Sequence, residues 1–177
     1  MIVIIKRWVI FTLVFFPLFV LAQEPGFPVP PTTPTQLFYM QRTSNTNTIV
    51  YEINLKNGVL DEEEPIHPYW IRYTEQGQKQ ELNYIQRKFA YGVKVKKISP
   101  TYYEFSFVSY KKNKMYLILG NDKKWHVHAK VNGAWAILNY IFIKIDGGTF
   151  WSPNVLYYEL NGYDPVTKAP MRERLKV

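Results

Sequence analysis

From Gln36 onward apolar and polar side chains alternate with a period of two, the spacing of an extended strand with one face turned inward. Leu37-Phe38-Tyr39-Met40 and the run from Ile49 to Leu55 flank the polar Ser44-Asn45-Thr46-Asn47, which predicts a hairpin. Asn57-Gly58 predicts a turn. Tyr69, Ile71 and Tyr73 alternate with Trp70 and Arg72, so residues 68–74 form a strand with two chemically different faces. Tyr91, Val93 and Val95 alternate with Lys94 and Lys96 in the same way, and the aromatic stretch 102–110 leads through Lys111-Lys112-Asn113-Lys114 to a strand over 115–119. Trp125, Val127, Ala129 and Val131 share one face and His126, His128 and Lys130 the other. Asn132-Gly133 then supplies the two positive-φ positions of a tight type I′ turn. The chain runs back from Ala136 to Ile145, breaks at Asp146-Gly147-Gly148, and makes a last strand over 155–160 that Asn161-Gly162 closes.

One segment has a different period. Over residues 79–90, Leu82, Ile85 and Phe89 recur at three- and four-residue spacing, Glu81 lies in the first turn, Arg87 and Lys88 lie in the last, and Gly92 comes after them as a stop. This predicts one short amphipathic helix against a sheet or across the end of a barrel. Strands about ten residues apart with short turns make the fold class mainly β, an antiparallel β-sandwich or an up-and-down barrel.

The N-terminus obeys other rules. Lys6 and Arg7 precede an apolar run from Trp8 to Leu21, and Val20-Leu21-Ala22 suits cleavage before Gln23, so residues 1–22 are read as a secretory signal peptide. At about 14 residues, with Pro17 inside it, the run is shorter than the roughly 20 a membrane span needs. No later segment of the sequence is apolar enough to span. Five of the 12 prolines then fall within residues 24–34, which excludes helix and ladder, so residues 23–35 are read as an extended linker to a single domain over 36–177. The expected location is secreted or periplasmic.

Composition narrows the picture. The chain has 177 residues, enough for one ordinary domain, and its 14 Tyr, 11 Phe and 5 Trp exclude a disordered protein. With no Cys, its stability must come from the core alone. Removing Lys6 and Arg7 from the formal charge of +8 leaves a processed chain of +6. Export separates that charge from nucleic acid, so the partners it favours are anionic lipids or acidic glycans of the envelope.

Four stretches together resemble a known family: Leu37 to Thr48, the His67-Pro-Tyr-Trp-Ile-Arg-Tyr73 piece, Glu81 to Gly92 with its Arg-Lys-Phe-Ala-Tyr-Gly end, and Gly147 to Val155 with its Thr-Phe-Trp-Ser-Pro core. They are similar to secreted bacterial proteins of the domain of unknown function 4833. The resemblance covers nearly the whole domain. It implies no reaction, cofactor or substrate, and carries over no functional residues.

The chemistry-bearing residues are few. There is no Gly-x-Ser-x-Gly elbow, phosphate-cradling loop, His-Glu-x-x-His or thiol nucleophile, and no cofactor is expected. His126 and His128 project from one strand face, but two imidazoles fall short of the three protein ligands of a functional zinc position, so no metal is assigned. Asp61-Glu62-Glu63-Glu64 lacks the spacing of a calcium loop. Trp70, Arg72, Trp125 and Trp151 are the candidate ligand-binding residues, with Trp135 beside them in type. Flat aromatic faces near a planar cation suit sugars and peptides, and Trp70 and Arg72 should share one face of their strand. These residues support two functional expectations. The first is a non-enzymatic binding module of the cell envelope that holds a glycan, peptide or lipid headgroup. The alternative is a hydrolase or metal-assisted enzyme drawing on His67, His126, His128 and a carboxylate such as Asp122 or Asp146.

Overall fold

The computed structural model describes residues 26–177. The expected signal peptide lies outside the described residues. β1 (Gln36–Arg42) and β2 (Asn45–Ile53) form the first hairpin, turned by Thr43 and a left-handed Ser44. β3 (Leu55–Lys56) and β4 (Val59–Leu60) make a small ribbon across Asn57 and Gly58, both at positive φ. β5 (Ile66–Arg72) and β6 (Gln78–Glu81) come next, then a helical segment, α1 (Tyr84–Gln86), which runs on as a π turn over Arg87–Tyr91. The remaining strands are β7 (Val93–Ser99), β8 (Tyr102–Phe107), β9 (Met115–Leu119), β10 (Trp125–Val131), β11 (Ala134–Gly148), β12 (Pro153–Tyr163) and β13 (Pro170–Lys176).

The fold is mainly β, with one short helix on a curled, half-barrel sheet. Its order is β6-β5-β2-β1-β11-β10-β9-β8-β7, and β12 and β13 continue from the other edge of β11. β11 makes the curl. Its first residues pair with β10 through the Asn132-Gly133 turn, whose positive φ values are those a type I′ hairpin requires. Farther along, Tyr140 to Ile143 pair with Tyr39 to Arg42 of β1. That second pairing is parallel, in a sheet whose other ladders are antiparallel. Two arms therefore grow from one strand and fold toward each other.

The core lies between the arms. Phe38, Ile49, Tyr51 and Trp70 come from one arm, and Tyr103, Phe105, Met115, Leu117 and Val127 from the other. Phe38 stacks on Tyr51 at 4.4 Å and reaches Phe105 across the gap at 6.4 Å. The buried Tyr51 hydroxyl donates to the Tyr91 carbonyl at 2.9 Å, so the helical segment is tied to the core it covers.

Three local expectations shift. The helix starts at Tyr84 rather than near residue 79, because Gln78–Glu81 pairs with β5 as an edge strand. Asn83 then caps the helix, accepting from the Gln86 amide while the Gln86 side chain accepts from the Asn83 amide. Asn161 and Gly162 do not end a strand but lie inside β12. There a Cβ on residue 162 would fall 2.2 Å from the Ile137 carbonyl oxygen, so glycine serves close strand packing rather than a turn. β13, whose Arg172 and Arg174 clamp the buried Glu159, adds a strand after it.

The outer face of β1, β2 and β5 buries Tyr39, Val50 and Tyr69. Residues 27–33 run along this side in neither helix nor ladder, and Pro34 and Thr35 turn the chain into β1. Phe27 meets Phe142 edge-on at 5.5 Å, Gln41 donates to the Pro28 carbonyl at 2.8 Å, and Thr33 donates to Glu52 at 2.9 Å.

Candidate functional site

The four candidate residues do not converge. Trp70 is 3% exposed, meets Tyr91 edge-on at 5.1 Å, and donates its indole N–H to Gln86 at 3.3 Å, so it is core. Arg72 lies two residues on, ion-paired with Glu75, at the rim of a cavity of about 570 Å³. Gly26, Phe27, residues 44–47 and Thr74 complete that rim. Trp125 is half-buried against Tyr103 in the opposite arm. Trp151, by contrast, is 67% exposed.

The histidines form two pairs with carboxylates. His126 lies 2.9 Å from Asp122, and that contact, with the Lys124 amide, holds the Asp122 carboxyl below its ordinary range. His67 lies 3.0 Å from Glu81. Burial, and then the nearby His126, push the His128 imidazole toward its neutral form. None of the three histidines lines either described cavity. Among the described residues, no group of three or more His, Asp or Glu could hold a metal ion. The smaller cavity, about 170 Å³, lies between Glu63, Glu64 and Arg87, and Arg87 is paired with Glu64 there.

A different cluster forms around Trp151. β11 and β12 extend past the parallel pairing with β1 and end in a tight turn: Thr149 N donates to Ser152 O at 3.1 Å, and Ser152 N donates to Thr149 O at 3.2 Å. Phe150 and Trp151 are the two residues at its tip. Gly147 and Gly148 before it take positive φ, and a Cβ on Gly148 would meet backbone of the returning strand at 2.5 Å. The backbone thus asks for glycine at its bend and for nothing large at its tip. Phe150 is nevertheless 49% exposed, and its ring lies 5.0 Å from that of Trp151.

The third ring comes from the helical segment. Phe89 is 50% exposed and meets Trp151 edge-on at 5.7 Å. Tyr84 and Ile85 beside it also face solvent. Lys88 donates to the Tyr84 hydroxyl at 2.7 Å, and its ammonium lies 5.1 Å from the Tyr84 ring centre and 5.4 Å from that of Phe89. The loop after β8 is latched to the end of this segment, because Val108 N donates to Gly92 O and Ser109 Oγ to Ala90 O. It carries the exposed Lys111 and Lys112. The result is a contiguous aromatic surface with the Lys88 ammonium against it. The pattern Leu82, Ile85, Phe89 predicts an inward stripe, yet Leu82 alone of the three is buried. Leu82 precedes the helix, Ile85 lies on its exposed side, and the π turn breaks the 3.6-residue period just before Phe89.

The chain belongs to the family described as Domain of unknown function (DUF4833), whose profile matches residues 38–174 and so runs from within β1 into β13. No curated protein and no solved structure matches it.

Proposed function

We propose that this chain is an exported, non-enzymatic binding module of the cell envelope. Its ligand, a glycan, peptide or lipid headgroup, is held by the exposed rings of Tyr84, Phe89, Phe150 and Trp151 and the ammonium of Lys88. The observation that supports this most is the pair of large aromatics at a turn tip where folding requires neither, meeting a third exposed aromatic from a distant element. Apolar area left in water at such a position costs solubility, and a binding partner would recover it. The signal-like N-terminus supports a secreted or periplasmic location, and the +6 charge of the processed chain suits anionic partners there. Chain recovered from the exported fraction is expected to begin at Gln23, and recovery of cytoplasmic chain that still begins at Met1 would remove export from the proposal.

Co-sedimentation with isolated cell envelopes tests the binding surface. The wild-type protein is expected to pellet with envelopes, and the double variant Phe89→Ser/Trp151→Ser to bind about tenfold or more weakly, as expected when central aromatic anchors are lost. Equal pelleting of the two proteins would overturn the assignment of this surface.

A further inference from the structure

Resting on that reading and narrowing it, we infer that the surface around Trp151 is a wedge for an anionic phospholipid bilayer. The shape argues first. A small-molecule site is concave and gathers polar groups around its ligand. Here the rings meet edge-to-face, at 72° for Phe89 and Trp151 and 84° for Phe150 and Trp151, so they offer no flat stacking platform. Neither described cavity is lined by any of them. Residues 146–154, which include the turn, are exposed throughout, and β11 and β12 there pair with each other beyond the reach of β1. An exposed turn tip of Phe and Trp is the form that inserts between headgroups, where an indole keeps its N–H in the wet layer and its rings in the apolar one.

The charge argues second. Lys88 lies against the Phe89 ring, and Lys111 and Lys112 are exposed on the loop latched to the same helical segment, while Asp146 before the turn carries the opposite sign. Lysine stems can lie along the apolar boundary while their ammonium groups stay at headgroup level. Each such charge near an anionic leaflet is expected to raise affinity about fivefold. Apolar insertion alone is weak, and so is charge alone; the two together make reversible peripheral binding.

The test uses the processed protein with vesicles of phosphatidylcholine and vesicles of phosphatidylcholine mixed with phosphatidylglycerol. The protein should pellet with the mixed vesicles, bind neutral ones about tenfold or more weakly, and be released by added salt. Its tryptophan emission should shift to the blue on binding. Trp151→Phe should lose most of that shift and still bind, Phe150→Ser/Trp151→Ser should lose binding, and Lys88→Gln/Lys111→Gln/Lys112→Gln should lose the preference for phosphatidylglycerol. Circular dichroism shows whether each variant is folded. Binding to isolated envelopes without binding to mixed vesicles would overturn the lipid inference and assign the surface to a glycan or protein, leaving the binding module standing. Absence of both would remove both. Vesicle binding that leaves the emission unchanged, or that ignores lipid charge, would also overturn the inference.

Discussion

Trp70 and Trp151 carry the same indole, and their surroundings give it opposite work. Trp70 fills space between β5 and the helical segment with its N–H satisfied, so Trp70→Ala should cost about 3–5 kcal/mol through the cavity left behind. Trp151 stands in water, and Trp151→Ala should change stability by no more than about 0.5 kcal/mol. Urea unfolding of both variants checks this. A comparable loss in the two would make the turn tip part of the packed core. The sequence cannot rank these residues, because alternation tells which side chains share a face but not which face another arm will roof. Trp70 sits under a roof contributed by residues 84–91, whereas no periodicity governs a turn. Tyr39 shows the same dependence on a distant cover. Burial, then Tyr140 and Tyr73, push its phenol up to about 12. The folded chain therefore keeps its proton after the unfolded chain has lost it. Stability is unaffected below the unfolded value near pH 10 and falls as pH rises toward the folded one. Tyr39→Phe should make that alkaline fall less steep in denaturant titrations on either side of pH 10, and an unchanged slope would show that Tyr39 does not contribute.

At the scale of elements, the hairpins with strong local signals were legible: Asn57-Gly58 and Asn132-Gly133 both turn where their positive φ values allow. Signals that depend on a neighbour were not. Lys79, Gln80 and Glu81 lead directly into the helical spacing of Leu82, Ile85 and Phe89, yet their backbone completes the edge of β5, since ladder hydrogen bonds outweigh weak propensity. The two glycines read as stops have a steric reason instead. Gly92 has an ordinary extended backbone, with φ of -66° and ψ of 165°, so φ does not select glycine there. Space does: a Cβ would sit 2.0 Å from the Arg87 carbonyl oxygen, which the π turn brings against the departing chain. Gly92→Ala should push the start of β7 away from the segment and cost about 2 kcal/mol or more, with disruption centred on residues 84–93. Hydrogen exchange of that region against the rest of the sheet measures it. A loss spread evenly over all strands, or none, would show that the π turn can move aside.

For the whole molecule, what no local pattern encodes is closure. β1 lies parallel to β11, joining residues about a hundred positions apart, and neither strand announces its partner because both bury residues on both faces at the crossing. Folding must therefore wait for a long loop to close before the two arms can trap the core. Once they have closed, one side of that crossing still needs cover, and the chain supplies it from residues 26–35. Phe27 lies against Phe142, Pro28 accepts from the buried Gln41, Tyr73 donates to the Val29 carbonyl, and the Ile53 amide donates to Thr35. A proline-rich stretch loses little conformational entropy when it docks, so even these few contacts yield a net gain. A chain starting at Gln36 should accordingly lose about 2–4 kcal/mol: an aromatic pair worth about 1 kcal/mol and hydrogen bonds to buried groups worth about 1 kcal/mol each. Urea midpoints of the two lengths at equal m-value decide the matter. A difference below about 0.5 kcal/mol would mean that the segment acts as a spacer and that Gln41 and Phe142 need no cover from it.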